Sequence, residues 1–410
     1  MSAVSVLIPT YNRARYLRES LESVLGQTVA PAQVIVINDG STDDTREVLE
    51  PYMERIEYLE KANGGKSTAL NLGLSRVTGD YVWIMDDDDV ALPDALETHL
   101  KVLENDPGIG FTYTAGYLGK TRPKGGGIEI LEGGPLPDVP EDEFLSRYLQ
   151  GCFFYQGALL VRTACYEAVG KFDAGLIRCQ DVDMMVRIAR QYRGRGIDKP
   201  TVIIRQHSGS RGSESEGFVA ERIFSKTRKY EEKIFKRLRN ELELCDYLPA
   251  NFKGIMLGPE SRRRAYIARM GMAAGRGMFD DMLCDLRCAL DQVAENSPLT
   301  DTERASVSRG INYLQPGDKF LVDRQFLESV RVACRGRAGK DVMVEMARGL
   351  CWRAHYALHF RQFRFLLEII GAACRLLRVR GTVLAVMRKL REVLEAHRPQ
   401  GPQSQDRQAG

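Results

Sequence analysis

The sequence predicts an α/β protein: a doubly wound, mostly parallel sheet over its first half, then an all-helical region. Three observations carry that expectation. Short apolar runs alternate with helix-patterned segments between residues 4 and 86. Those runs stop in turn-forming or acidic residues. From about residue 220 onward the apolar spacing is helical almost throughout.

In chain order, VSVLIP (4–9) reads as a buried strand. RYLRESLESVLGQ then sets Leu17, Leu21, Val24 and Leu25 at helical spacing, with Gly26 as a stop. QVIVIND (33–39) is a second buried strand closed by the turn residues Asp39, Gly40 and Ser41, and STDDTREVLEPY opens with helix-start residues. IEYLEK (56–61) is a shorter strand, GKSTALNLGLSRV a helix and YVWIMD (81–86) another strand. From about residue 108 come hairpin-like strands, a Gly/Pro-rich insert (120–143), the strand GALLVR (157–162) and the helix DVDMMVRIARQY. PTVIIRQH follows, with a Gly/Ser loop at 208–217. Residues 264–293 and 344–377 each read as an antiparallel helix pair, with small residues at close contacts.

Composition limits the possibilities. A chain of 410 residues holds two domains by default, and 44% hydrophobic with 28% charged residues is ordinary for a globular protein. A formal charge of +3 is too weak a field to recruit nucleic acid. Nine cysteines, an odd number with no C-x-x-C pair, indicate neither a disulfide framework nor a zinc knuckle and read as reduced thiols of a cytosolic protein. MSAVSVLIPTYNR lacks a basic leader before a long apolar segment, so no signal peptide is expected. The most apolar stretch, FLLEIIGAACRLLRV, is interrupted by Glu368 and Arg375 and falls short of a membrane span.

The strand ends are the informative part. They read PTYN, NDGS, KANGG and DDDD, and an open α/β sheet collects such ends on the rim where ligands bind. Asp86, Asp87, Asp88 and Asp89 repel one another, so a cation is expected there. Oxygen donors suit Mg²⁺ or Mn²⁺. Asp86 and Asp88 project to the same side of an extended segment.

VLIPTYNRARYLRESLESVLGQT, VIVINDGSTDDT, NGGKSTALNLGL and GDYVWIMDDDDVALPDALE closely resemble, in order and spacing, the successive motifs of family 2 glycosyltransferases. The resemblance covers roughly residues 3–210. It implies a GT-A fold with a doubly wound mixed sheet at 1–220, comprising a nucleotide-binding half (1–95) and an acceptor half (96–220). Beyond it, a connecting helix at 221–250, a helical C-terminal domain at 251–400 and a disordered tail at 401–410 are expected. The implied reaction is inverting, metal-dependent transfer of a sugar from a nucleotide-diphosphate donor, most commonly a UDP-sugar in this family, to an acceptor hydroxyl. A saccharide or lipid-linked acceptor in cell-surface polysaccharide or glycolipid synthesis follows by the same analogy.

Residue by residue, Pro9, Thr10, Tyr11 and Asn12 match the loop that cradles the nucleotide, and Asp39 the acid that hydrogen-bonds the base. Asn63, Gly64, Gly65 and Lys66 match the loop beside base and ribose. Asp88 matches the direct metal ligand. Asp86 matches a ribose or water-mediated contact that joins the metal set. Asp87 reads as an accident of surface, and Asp89 as a support or a cap for the next helix. In VGKFDAGLIRCQDVDMMVRIAR the family's Glu-Asp pair becomes Gln180-Asp181, so Asp181 is the expected general base. Asp183 is the fallback, or a first-turn acid favouring the helix dipole. Arg187 is expected to pair with an acid. His207 matches a histidine that reaches metal or diphosphate in many relatives, with a structural role as the alternative.

Two further readings are weighed. A sugar nucleotidyltransferase would need a Gly-rich basic loop after the first strand, and PTYNRARY has no glycine. A non-catalytic relative working through its helical tail would have no need of Asp39, Asp86, Asp88 and Asp181 together. His355 and His359, at i and i+4, are expected to pack rather than chelate. Residues 351–400 carry ten Lys and Arg against three Glu, a local +7, with Arg361, Arg364, Arg375 and Arg378 on one face of a continuous helix. That pattern suits peripheral contact with the inner face of a membrane, a solvated face or an oligomer contact.

Overall fold

The computed structural model describes residues 3–122, 127–133, 135–207, 223–294, 296–359 and 361–378. The Gly/Ser loop 208–217, part of the insert 120–143, and residues 379–410, including the expected tail, lie outside them. Two compact units are present, Met1–Ile255 and Met256–Gly410.

The first unit is built on nine strands: β1 (Val4–Thr10), β2 (Gln33–Asn38), β3 (Glu57–Glu60), β4 (Tyr81–Ile84), β5 (Val90–Ala91), β6 (Ile109–Thr121), β7 (Ile128–Gly133), β8 (Leu159–Arg162) and β9 (Arg193–Gln206). They lie in the order β3-β2-β1-β4-β8-β6-β9-β5, with β7 paired to β6. The first four are parallel, Ile8 opposite Val36 and Leu7 opposite Ile84, as the alternating sequence pattern predicts. β8 enters antiparallel to β4 and β6 antiparallel to β8, which makes the sheet mixed. β9 then runs parallel to β6 along most of its length, and β5 pairs antiparallel to β9 with Val90 opposite Ile203.

Among the described residues eight α-helices accompany this sheet: α1 (Ala14–Leu25), α2 (Thr45–Leu49), α3 (Lys66–Leu74), α4 (Ala95–Asn105), α5 (Phe144–Gln150), α6 (Thr163–Val169), α7 (Gln180–Ala189) and α8 (Ile223–Glu241). Leu17, Leu21 and Val24 of α1 and Leu96, Leu100 and Leu103 of α4 meet Val6, Ile8, Val36, Trp83 and Val202 in one buried cluster. Both strand period and helix period therefore bury the faces read from the sequence. Trp83, fully buried, satisfies its indole N–H on the Gly157 carbonyl at 2.8 Å.

The second unit is helical throughout its described residues: α9 (Pro259–Gly275), α10 (Phe279–Leu290), α11 (Asp301–Ile311), α12 (Lys319–Val322), α13 (Arg324–Ala333), α14 (Gly336–His359) and α15 (Phe363–Leu377). α9 with α10 and α14 with α15 are the two helix pairs expected. The closest small-residue contact, however, joins α9 to α11. A Cβ on Gly271 would lie 2.7 Å from the Ser306 carbonyl, and one on Gly310 would lie 2.6 Å from the Gly271 carbonyl. α11 starts with a reciprocal cap: Thr300 N–H donates to the Glu303 carboxylate at 2.7 Å, and Glu303 N–H to Thr300 Oγ1 at 3.3 Å.

Two expectations for the tail are corrected. Residues 351–378 are not one helix, because α14 ends at His359, α15 begins at Phe363 and Arg361 takes a left-handed φ of 54°. The four arginines therefore share no continuous face. Phe365, Leu366 and Ile369 are buried within the unit, and Arg375 is turned onto the Leu321 carbonyl at 2.5 Å. His355 and His359 are exposed on α14 rather than packed. No described helix is long and apolar enough to cross a membrane.

Candidate active site

The rim predicted from the strand ends opens into a cleft of about 720 Å³ in the first unit. Pro9, Thr10, Tyr11, Asp39, Asn63, Gly65, Lys66, the four acids 86–89 and Asp181 line it together. Gly64 lies beside this lining. Asn12 turns away: its amide oxygen accepts the Thr42 N–H at 2.7 Å, and its N–H donates to Ser41 Oγ at 2.9 Å. Asn12 thus shapes the loop from behind.

The acids link β4 to β5. Asp86, Asp88 and Asp89 each offer an oxygen, and these lie within 4.8 Å of one another. Such a spacing of hard oxygen donors fits a divalent cation. Asp88 is also 2.8 Å from His207 Nε2, while Arg13 Nη1 lies 3.0 Å from that nitrogen and 3.7 Å from the Asp88 carboxylate. His207 is thus drawn onto the acids, and its ring lies against Tyr16 with centroids 4.8 Å apart.

Asp89 accepts the Arg205 N–H at 2.9 Å; burial, then Asp88 and Asp86, hold its carboxyl well above the usual range. Asp87 is not an accident of surface. It is 8% exposed, and burial with the charge of Asp88 pushes it up to about 7. A buried acid among acids ionises reluctantly.

The loop at 61–65 is fixed by Asp39, which is 3% exposed. Its carboxylate accepts the Gly64 N–H at 3.0 Å, the Gly65 N–H at 2.7 Å and the Lys61 ammonium. Asn63 returns its side-chain N–H to the Asp39 carbonyl at 2.9 Å. Gly40 has φ +77°, and a Cβ there would sit 2.8 Å from the Asn63 N–H nitrogen, so this close approach requires glycine. Asp39 organises the 61–65 loop, and Lys66 leaves that loop to pair with Asp86. Burial works against the Lys66 charge, but Asp86 first, then Asp181 and Asp88, outweigh it and raise its pKa.

Asp181 stands in the first turn of α7, whose preceding residue, Cys179, takes a left-handed φ of 56°. Its carboxyl is partly exposed to the cleft. Burial raises its pKa, while Lys66 and the Val182 N–H pull the other way. Asp183 points elsewhere: at 1% exposure it is bonded by Arg187 at 3.1 and 3.0 Å and by Arg237. Arg187 therefore pairs with an acid, as expected.

Sequence reasoning missed much of the far wall. Phe153, Phe154 and Tyr155 contribute aromatic surface, Arg178 charge, and Thr227 and Glu231 approach from α8. It also missed Arg205, 1% exposed, whose guanidinium bonds the Asp88 carbonyl at 2.7 Å, Thr121 Oγ1 at 2.6 Å and Glu19 at 2.5 Å. A lone arginine in the otherwise apolar run TVIIRQ was the available signal.

Residues 5–155 match the family described as Glycosyl transferase family 2. An uncharacterized glycosyltransferase of Rickettsia prowazekii (strain Madrid E) is 30% identical over 192 residues, covering 46% of this chain and 58% of that protein. The chondroitin synthase of Pasteurella multocida (strain Pm70) is 40% identical over 114 residues, 27% of this chain and 12% of that one. Among solved structures, the mannosyltransferase PcManGT from Pyrobaculum calidifontis in complex with GDP-Man and Mn²⁺ is 18% identical with a TM-score of 0.47, over 93% of this chain and 88% of that one. The chain spans between 31% and 58% of the length of the first rickettsial relatives it matches. Over residues 5–155, therefore, the amino-terminal unit is similar to glycosyl transferase family 2, and it carries that similarity on a mixed α/β sheet.

Proposed function

We infer that this protein transfers a sugar, with inversion, from a nucleotide-diphosphate donor to an acceptor hydroxyl. One observation carries the reading: the acids Asp86, Asp88 and Asp89 and the helix-start acid Asp181 face one cleft, and the Lys66 charge interacts with all four. The oxygen set of the three acids suits Mn²⁺ or Mg²⁺, and such an ion supplies charge compensation for a departing diphosphate.

The chain's own residues do the rest. The loop at 9–11 and the Asp39-braced loop at 61–65 present backbone to the nucleotide. Lys66 keeps its charge at the diphosphate side. Asp181 accepts the proton of the acceptor hydroxyl; burial lifts its basicity above that of a free aspartate, which favours a base working near neutral pH. His207, beside Asp88, is available to the metal set. UDP is the donor nucleotide that family analogy favours, and the acceptor class is a saccharide or lipid-linked saccharide of the cell surface. Because the matched relatives are longer, this reading concerns the reaction of this chain.

The test is calorimetry. UDP and GDP should bind with Mn²⁺ and lose most affinity in EDTA, and Asp88→Ala should abolish the metal-dependent part. Nucleotide binding indifferent to Mn²⁺ and to Asp88 would sink the metal assignment. A thermal-shift screen of UDP-, GDP- and dTDP-hexoses with Mn²⁺ then selects the donor.

A further inference from the structure

The segment that delivers Asp181 is a loop, residues 170–179, running from α6 into α7. Loops are the mobile parts of a fold, and an irregular segment that ends in a left-handed residue has little regular structure of its own to hold it. Yet a general base must sit within hydrogen-bond reach of its proton. The side chains around this loop show how it is held.

From one side α3 grips it. Ser67 Oγ donates to the Leu176 carbonyl at 2.8 Å, and Asn71 exchanges two hydrogen bonds with Phe172, at 2.8 and 2.9 Å. These bonds tie the loop to the helix that begins with Lys66. From α7 itself, Arg187 reaches back to the carbonyls of Val169 and Lys171 at 2.8 and 3.0 Å. From the other side comes α8, which lies outside the region that matches the family. Its Arg237 places one guanidinium nitrogen 3.1 Å from Asp173, in the loop, and another on Asp183, in the first turn of α7. Asp183 is almost fully buried, so its charge depends on these arginines. Arg187 spans loop and helix start from within α7, and Arg237 does so from a separate helix.

We propose that Arg237 is a positioning residue, which holds Asp181 in working geometry by bridging Asp173 and Asp183 across the base-bearing turn. It is not among the residues that line the cleft. A fork of planar donors is suited to this, because it meets two carboxylates at fixed angles where an ammonium meets one at a time. Glu241, one turn along α8, forms an ion pair with Arg237 Nε at 3.5 Å without hydrogen-bonding it. Because α8 also brings Thr227 and Glu231 to the cleft, the same helix couples the far wall to the base.

The role in turnover rests on Asp181 being the base; the clamp itself does not. Amide hydrogen exchange of the full chain without ligand therefore accompanies steady-state transfer with the donor chosen by the thermal-shift screen. Arg237→Ala should speed exchange across residues 171–183 by about tenfold while amides of β1 and β4 stay unchanged. It should lower kcat by roughly 10–10²-fold, as a misplacement of order 1 Å does, and leave donor KM within about twofold. Arg237→Lys should recover part of the rate. If Arg237→Ala loses protection throughout, Arg237→Gln is judged by the same readouts. Unchanged exchange at 171–183 overturns the clamp, and loosened exchange with full kcat overturns the positioning role. Asp181→Asn with normal turnover removes the base assignment instead, and leaves the exchange result to decide the clamp.

Discussion

Replacing Asp181 by Asn separates catalysis from binding and from folding. The two side chains share a shape, and the amide oxygen can still face the Val182 N–H, whose pull on the carboxyl opposes that of burial. What disappears is the ability to take a proton. Loss of a general base costs about 10²–10⁴ in rate, roughly 3–5 kcal/mol on the barrier. The donor contacts proposed above lie on the 9–11 and 61–65 loops and the acids 86–89, so affinity for UDP or GDP with Mn²⁺ should stay within about twofold. Stability gives a third readout with its own sign. Burial raises the Asp181 pKa in the folded state, so the contribution of this group is present below the unfolded carboxyl value and lost as pH rises through the folded one. Near neutral pH the charge is thus a net cost, and Asp181→Asn should unfold at or above the native temperature. The assay is initial-rate nucleotide release against pH, with calorimetry and a thermal melt on the same preparations. The native enzyme should lose activity on acidification at a pH above that of an ordinary aspartate, about 3.9. Full turnover by the variant, or loss of rate and nucleotide affinity in equal measure, would refute the reasoning.

Other expectations concern the support of the site. Arg205→Met leaves the Asp88 carbonyl and Thr121 hydroxyl unsatisfied at about 1–3 kcal/mol each, with the half-exposed Glu19 pair counting for little. A melting temperature lower by roughly 5–15 °C should follow, and an unchanged melt would show that the arginine braces nothing. Asp87→Asn should stabilise the metal-free protein by an amount that grows between about pH 4 and 7 and then levels off, because the native acid titrates at about 7; a pH-independent difference in thermal melts in EDTA would contradict the assignment. Gly271→Ala forces a methyl onto the Ser306 carbonyl and should cost the helical unit about 1–3 kcal/mol, seen as an earlier unfolding step by circular dichroism.

What could be read from sequence was local. The runs around Val6, Val36 and Trp83 announce buried strands because each is continuous and ends in turn residues. The donor side of the cleft was legible for the same reason, since Thr10, Asp39, Lys66 and Asp86 sit at the ends of successive elements. Arg205 was not, because its meeting with Asp88, 117 positions away in the chain, depends on β9 returning beside β5 and β6. Asp87 was misjudged because four adjacent acids look solvated until the fold buries one of them. The break between α14 and α15 carries no Gly or Pro, so HFRQFR does not show where the expected helix pair turns, and Phe365 and Ile369 are buried just beyond it.

The placement of β9 bears on how this molecule can be dissected. The span matching the family stops at residue 155, before β8, Asp181 and β9 have been made. A fragment cut there would keep Asp86 to Asp89 yet lose the Arg205 N–H that donates to Asp89, and β6 would keep only its pairing with β7 at Tyr117–Thr121. Exchange of donor halves between relatives therefore has to carry the chain through His207. A graft ending sooner would expose sheet edges and aggregate before its chemistry could be judged.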